Sequence, residues 1–201
     1  MTYISGAVEG ISDEAVLRRV VADRRAEVHR VQIQRGKASL RRALPGYNAA
    51  AKRDPWLVLV DLDRDFDCAA ALVSAWLPVP SAYMRFRVVV RKIEGWLLAD
   101  RERFASYFSV PGSAVPDQPD DLDDAKAALL LAISRSRRKA IREDMLPRPE
   151  SGRRVGAAYP SRLIEFASDA AHGWRPGVAA QRSPSLSRCL LRLDDLIANA
   201  P

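Results

Sequence analysis

A chain of 201 residues with 48% hydrophobic and 28% charged residues is long enough for a cored domain and too apolar for disorder. Its net charge of +7 admits an anionic partner such as nucleic acid, but the excess is spread evenly: 16 basic against 12 acidic residues over 1–100, and 16 against 13 over 101–201. Two distant cysteines, Cys68 and Cys189, and two isolated histidines, His29 and His172, give no zinc-ligand spacing and little support for a histidine-based triad. The N-terminus lacks the basic and apolar segments of a signal peptide, and no apolar run approaches the ~20 residues of a membrane span. The expectation is a reduced, soluble, cytoplasmic protein.

In chain order, Thr2–Val8 is β-leaning and ends in Glu9-Gly10. Ser12 is a candidate N-cap, with Asp13 and Glu14 in the first turn where the helix dipole favours acids. Val16, Leu17, Val20 and Val21 repeat at helical spacing. A second strand is predicted over Val28–Gln34, and a helix over Lys37–Lys52 that is interrupted near Pro45-Gly46.

The run Trp56-Leu57-Val58-Leu59-Val60 reads as a strand buried on both faces, and it leads directly into Asp61-Leu62-Asp63-Arg64-Asp65. Acids at a strand's carboxyl end fall where open α/β sheets place ligands. On an extended chain Asp61 and Asp63 share a face, and paired carboxylates suit a hard cation, Mg²⁺ above all. Asp65 and Asp67 read as a helix cap and its neighbour.

A short helix follows over Cys68–Trp76, then a fourth strand over Tyr83–Val90 whose extension to Trp96 carries Glu94. Leu97–Phe108 is a predicted helix and Val110–Asp124 an exposed loop. Ala125–Met145 is the longest helical pattern, its second half bearing Arg135, Arg137, Arg138, Lys139 and Arg142. That cluster is either an exposed face or a track for a phosphate backbone. Pro160 and Pro184 sit at the first position expected of two last helices, over 161–171 and 184–198, the second behind a Ser183 cap. Strands alternating with helices predict an α/β fold: a mostly parallel, Rossmann-like sheet flanked by helices over residues 1–110. A helical C-terminal extension over 111–201 packs on that core.

If the first and third strands are neighbours, Glu9, Asp61 and Asp63 converge at one sheet edge, a trio suited to divalent metal and phosphodiester chemistry. Val8-Glu9-Gly10-Ile11-Ser12-Asp13, with Asp61-Leu62-Asp63 behind an apolar strand, resembles the Toprim domain of the overcoming-lysogenization-defect (OLD) nucleases and their small stand-alone relatives. Val90 to Asp100, including Lys92 and Glu94, is also similar to a stretch of that stand-alone group.

The resemblance implies a Mg²⁺- or Mn²⁺-dependent nuclease with Glu9, Asp61 and Asp63 as ligands and catalytic groups. Glu94 is a possible fourth ligand, or else a surface partner of Arg91 or Lys92, and Lys92 is a cationic stabiliser. It implies nucleic acid as substrate, DNA before RNA, and a role in phage defence. No Gly-rich phosphate loop is present, so the ATPase that OLD-type proteins carry would come from a separate partner. The alternative is a non-catalytic Toprim-like module that regulates a partner or binds nucleic acid. A dinucleotide-binding or receiver-type domain fits less well, because no Gly-x-Gly-x-x-Gly follows the first strand. Trp76 and Trp96 read as core, and Tyr159 beside Gly156 is ambiguous.

Overall fold

The apolar run ahead of the acidic cluster forms the central strand of a four-stranded sheet in the computed structural model, which describes residues 1–201. The strands are β1 (Tyr3–Val8), β2 (Glu27–Ile33), β3 (Trp56–Asp61) and β4 (Met84–Val89). All pairings are parallel, in the order β2-β1-β3-β4. The chain steps outward from β1 to β2 and then crosses back to β3. The reversal therefore lies between β1 and β3, the crevice where open α/β sheets bind ligands.

Side-chain alternation builds two cores. Ile4, Val8, Leu57, Leu59 and Val89 enter the larger one with α1 (Ile11–Asp23), α4 (Ile93–Ala99), α5 (Arg101–Phe108) and the later helices. Ala7, Trp56, Val58, Val60, Phe86 and Val88 enter the smaller one with α2 (Lys37–Ala50) and α3 (Ala69–Trp76). Val16, Leu17, Val20 and Val21 of α1 are fully buried, each contributing at most about 1.5–3 kcal/mol. Close approach of α1 to β1 requires Gly6, where an added Cβ would stand 2.9 Å from Leu17.

Several boundaries differ from expectation. Helix α1 begins at Ile11 behind Gly10, so Ser12 lies inside it. Helix α2 runs through Pro45 without a break. Interior proline costs about 3 kcal/mol, and burial of Leu40 and Leu44, with Tyr47 stacked on Trp56 at 4.8 Å, offsets it. Glu94 does not extend β4; it lies in the first turn of α4. The helix predicted over Leu97–Phe108 is divided at Asp100, whose side chain accepts from the Arg103 amide at the head of α5. The pattern over Ala125–Met145 divides into α6 (Ala125–Ser134) and α7 (Lys139–Met145). Ser136 makes that break by donating to the Phe108 carbonyl (2.6 Å) and accepting from the Arg138 amide (3.2 Å). The basic residues 135–138 consequently sit in a connection, not on one helical face.

The loop over 110–124 is partly buried, through Val110, Val115 and Pro119. The remaining helices are α8 (Tyr159–Ser168), α9 (Pro176–Ala179) and α10 (Pro184–Ala198). Pro184 opens α10 behind Ser183, whose Oγ accepts from the Leu186 amide, whereas Pro160 is the second residue of α8. These helices share the larger core with β1 and β3, so the helical extension and the sheet bury one continuous apolar volume. Trp96 ties the layers together: its indole donates to Ser185 Oγ (2.7 Å) and its carbonyl accepts from the Trp174 indole (2.9 Å). No helix is long and apolar enough to cross a membrane.

Candidate functional site

Parallel pairing of β1 with β3 puts the residues that follow them side by side. Glu9 Oε1 accepts the Asp61 amide at 3.1 Å, so two of the sequence-predicted acids meet at the switch point. Asp61, the last residue of β3, is half-buried, and its enclosed Oδ1 has no hydrogen-bond partner. Burial raises its pKa well above the usual carboxylate range, and the charges of Asp13, Glu94 and Glu9 push the same way.

Asp13 belongs to this cluster. The first turn of α1 carries it over the sheet edge, where burial and then Glu94 raise its pKa to about 6. Glu9 rises to about 7, chiefly through burial, against the lowering effect of the Asp61 amide. Gly10 leaves room for the arrangement: a Cβ there would stand 2.9 Å from Asp13 Oδ2. Glu94, only 5% exposed, accepts a hydrogen bond from the Tyr159 hydroxyl (2.9 Å) and pairs with Lys126 (3.3 Å). Tyr159 is held protonated by burial first, and by the Glu94 charge and hydrogen bond second. Residues from α6 and α8 thus complete a site begun on β1 and β3.

Asp63 occupies a different position from the one the extended-chain argument gave it. Strand β3 ends at Asp61, and Asp63 adopts a left-handed backbone (φ 52°), which breaks the two-residue alternation. Its Oδ1 is paired with Lys92, its Oδ2 accepts from Lys37 (3.2 Å), and its carbonyl accepts from Arg91 (3.0 Å). Burial would raise its pKa, yet Lys92 and Lys37 together hold it below the usual carboxylate value. Lys37 also reaches the Leu62 carbonyl (3.0 Å) and Asp65 (2.9 Å), so Asp65 is a lysine partner and not a helix cap.

The result is a set of four carboxyl groups, three half-buried (Glu9, Asp13 and Asp61) and one buried (Glu94), beside two lysines moored on Asp63. No three of the acidic side chains already form a ready-made metal-ligand group. A cleft of about 380 Å³ opens at the Asp63–Lys92 pair, lined also by Arg91, Asp65, Asp123 and Asp124. Sequence reasoning did not find Asp13 or Lys126 as site residues and left Tyr159 open. Asp13 carried a faint signal, lying one helical turn beyond Glu9 across a glycine. Lys126 and Tyr159 carried none, because only the packing of α6 and α8 brings them in. The chain matches no protein-family model, no curated protein and no solved structure.

Proposed function

We propose that this protein is a Mg²⁺- or Mn²⁺-dependent nuclease of Toprim type that cleaves phosphodiester bonds, in DNA before RNA. The observation that carries the reading is Asp61: a half-buried carboxyl whose enclosed Oδ1 has no partner, near three more acids whose mutual repulsion a cation would relieve. The donor set fits a hard divalent ion, being all carboxylate oxygen. Glu9, Asp61, Asp13 and Glu94 would hold it. Bound there, it would supply Lewis-acid neutralisation of the phosphate and lower the pKa of water.

The chain's own residues do the rest. The Asp61 amide fixes the Glu9 carboxylate, and Tyr159 and Lys126 fix that of Glu94. Asp63 enters as the anchor that keeps Lys92 and Lys37 beside the acids, where their ammonium groups offset charge developing on a phosphate. A separate ATPase partner and a role in phage defence rest on the resemblance alone.

One feature favours the non-catalytic alternative: with both its oxygens taken by lysines, Asp63 is already neutralised. Nicking of supercoiled plasmid by the purified chain in Mg²⁺, Mn²⁺ or EDTA separates the two. The nuclease reading requires metal-dependent nicking that Asp61→Asn abolishes. Nicking undiminished in that variant contradicts it, and nucleic-acid binding with no cleavage, alone or with a co-expressed ATPase, supports the module.

A further inference from the structure

Strand β4 is an edge of the sheet, and its free side forms the floor of a groove walled by α3 on one face and α10 on the other. Two adjoining cavities of about 350 and 340 Å³ share Val73 and Arg87, and no acidic residue lines either. Arg85, Arg87, Arg188 and Arg192 line them instead. A third cavity of about 570 Å³ shares Ala69, Ala70 and Arg188 with the second and reaches Arg91, which also lines the cleft beside Lys92 and Asp63. Shared lining residues thus connect the cavities from the outer end of β4 to the cleft at Lys92 and Asp63, which Asp65, Asp123 and Asp124 also line.

The arginines are not fully matched by acids. Arg87 Nε is buried without a hydrogen-bond partner. Burial lowers the pKa of Arg87, and the neighbouring Arg192 and Arg188 add repulsion. Arg85 donates to the carbonyl of Arg192 (3.0 Å), and Arg192 pairs with the exposed Asp195 (3.1 Å). Of the acids facing the third cavity, Asp120 is occupied by Ser183 Oγ (2.7 Å) and the Ser185 amide (2.8 Å); Asp67 and Asp121 remain.

We propose that this groove is the track for a single nucleic-acid strand, whose phosphates Arg85, Arg87, Arg188 and Arg192 hold and lead past Arg91 to the carboxylates. Guanidinium groups suit phosphate, and a groove following one strand edge between two walls suits one backbone and not a duplex. The choice of nucleic acid as occupant rests on the nuclease reading.

Fluorescence polarisation of a labelled oligothymidylate of about 20 nucleotides, with the full chain in EDTA, tests it independently of cleavage. Arg188 and Arg192 are exposed, so the double variant Arg188→Gln/Arg192→Gln is expected to melt like the parent. The parent should bind with an affinity that falls with salt. The double variant should bind at least about tenfold more weakly, its log–log salt slope smaller by about 1.4 for two lost phosphate contacts. Equal affinity and slope in parent and variant, or no binding by the parent, would overturn the track. Tighter arginine-dependent binding of a duplex, or equal binding of polyglutamate, would overturn the single-strand assignment. Binding lost in the variant while the parent fails to cleave would keep the track and remove the nuclease.

Discussion

Asp61 concentrates the chemistry of the site in one side chain. A carboxylate shielded from water and crowded by other acids takes up a proton rather than remain charged, and Asp61, Asp13 and Glu9 all shift that way despite the nearby lysines. In metal-free protein the folded chain retains these protons at pH values where the unfolded chain has released them. Their contribution to stability is fully present below about pH 4 and is lost as the pH rises toward the folded value, about 7 for Glu9. Thermal melts in EDTA should therefore show the parent losing stability between pH 5 and 8. Asp61→Asn, which removes one of the repelling charges, should lose less and melt higher than the parent at pH 8. Excess Mn²⁺ at that pH should raise the parent's melting temperature and leave the variant's unchanged. Lys92→Gln should lower cleavage by about 10²-fold, the cost typical of one lost stabilising donor, while the Mn²⁺ stabilisation persists. Gly10→Ala tests the cradle: its backbone (φ −142°) accepts alanine, so folding should change little. The added Cβ would displace the Asp13 carboxylate, and Mn²⁺ affinity, followed by titration, should fall about tenfold if Asp13 is a ligand (1.4 kcal/mol).

Elements with a strong single signal were legible in the sequence. Five apolar residues from Trp56 specified the buried strand, and its pairing with β1, a strand order the sequence left open, brought Glu9 to Asp61. Asp63 was placed by an alternation that holds only while the strand continues, and β3 stops two residues earlier. The helix boundaries at Asp100 and Ser136 were hidden for another reason. Helical periodicity runs across both, and what breaks it is a contact distant in sequence. Asp100, with no exposed surface, accepts the Arg175 amide (3.0 Å) and its guanidinium at Nε (2.9 Å) and NH2 (2.7 Å). This pair joins the α4–α5 corner to the head of α9, and it raises the Arg175 pKa through the hydrogen bond to Asp100. Arg175 keeps Glu102 as a partner (3.2 Å), but the Arg103 and Arg175 amides lose their acceptor, so Asp100→Ala should destabilise the fold by about 3 kcal/mol in urea unfolding. The residual protein should keep its Mn²⁺ affinity, since Asp100 does not face the carboxylates.

At the scale of the whole molecule, the sheet supplies two acids, the first turns of α1 and α4 supply two more, and α6 and α8 hold the last of them in place. The C-terminal half is thus part of the site, a feature that neither charge distribution nor periodicity announced. If the nuclease reading holds, the four carboxyl groups form one divalent-cation site. Calorimetric titration of the metal-free chain with Mn²⁺ near pH 6.5, in two buffers of different ionisation enthalpy, tests it most directly. Binding should be saturable and release protons, because carboxyl groups holding protons must lose them to bind a cation, and it should be lost in Asp61→Asn. Absence of binding by the parent, or equal binding by the variant, would contradict it.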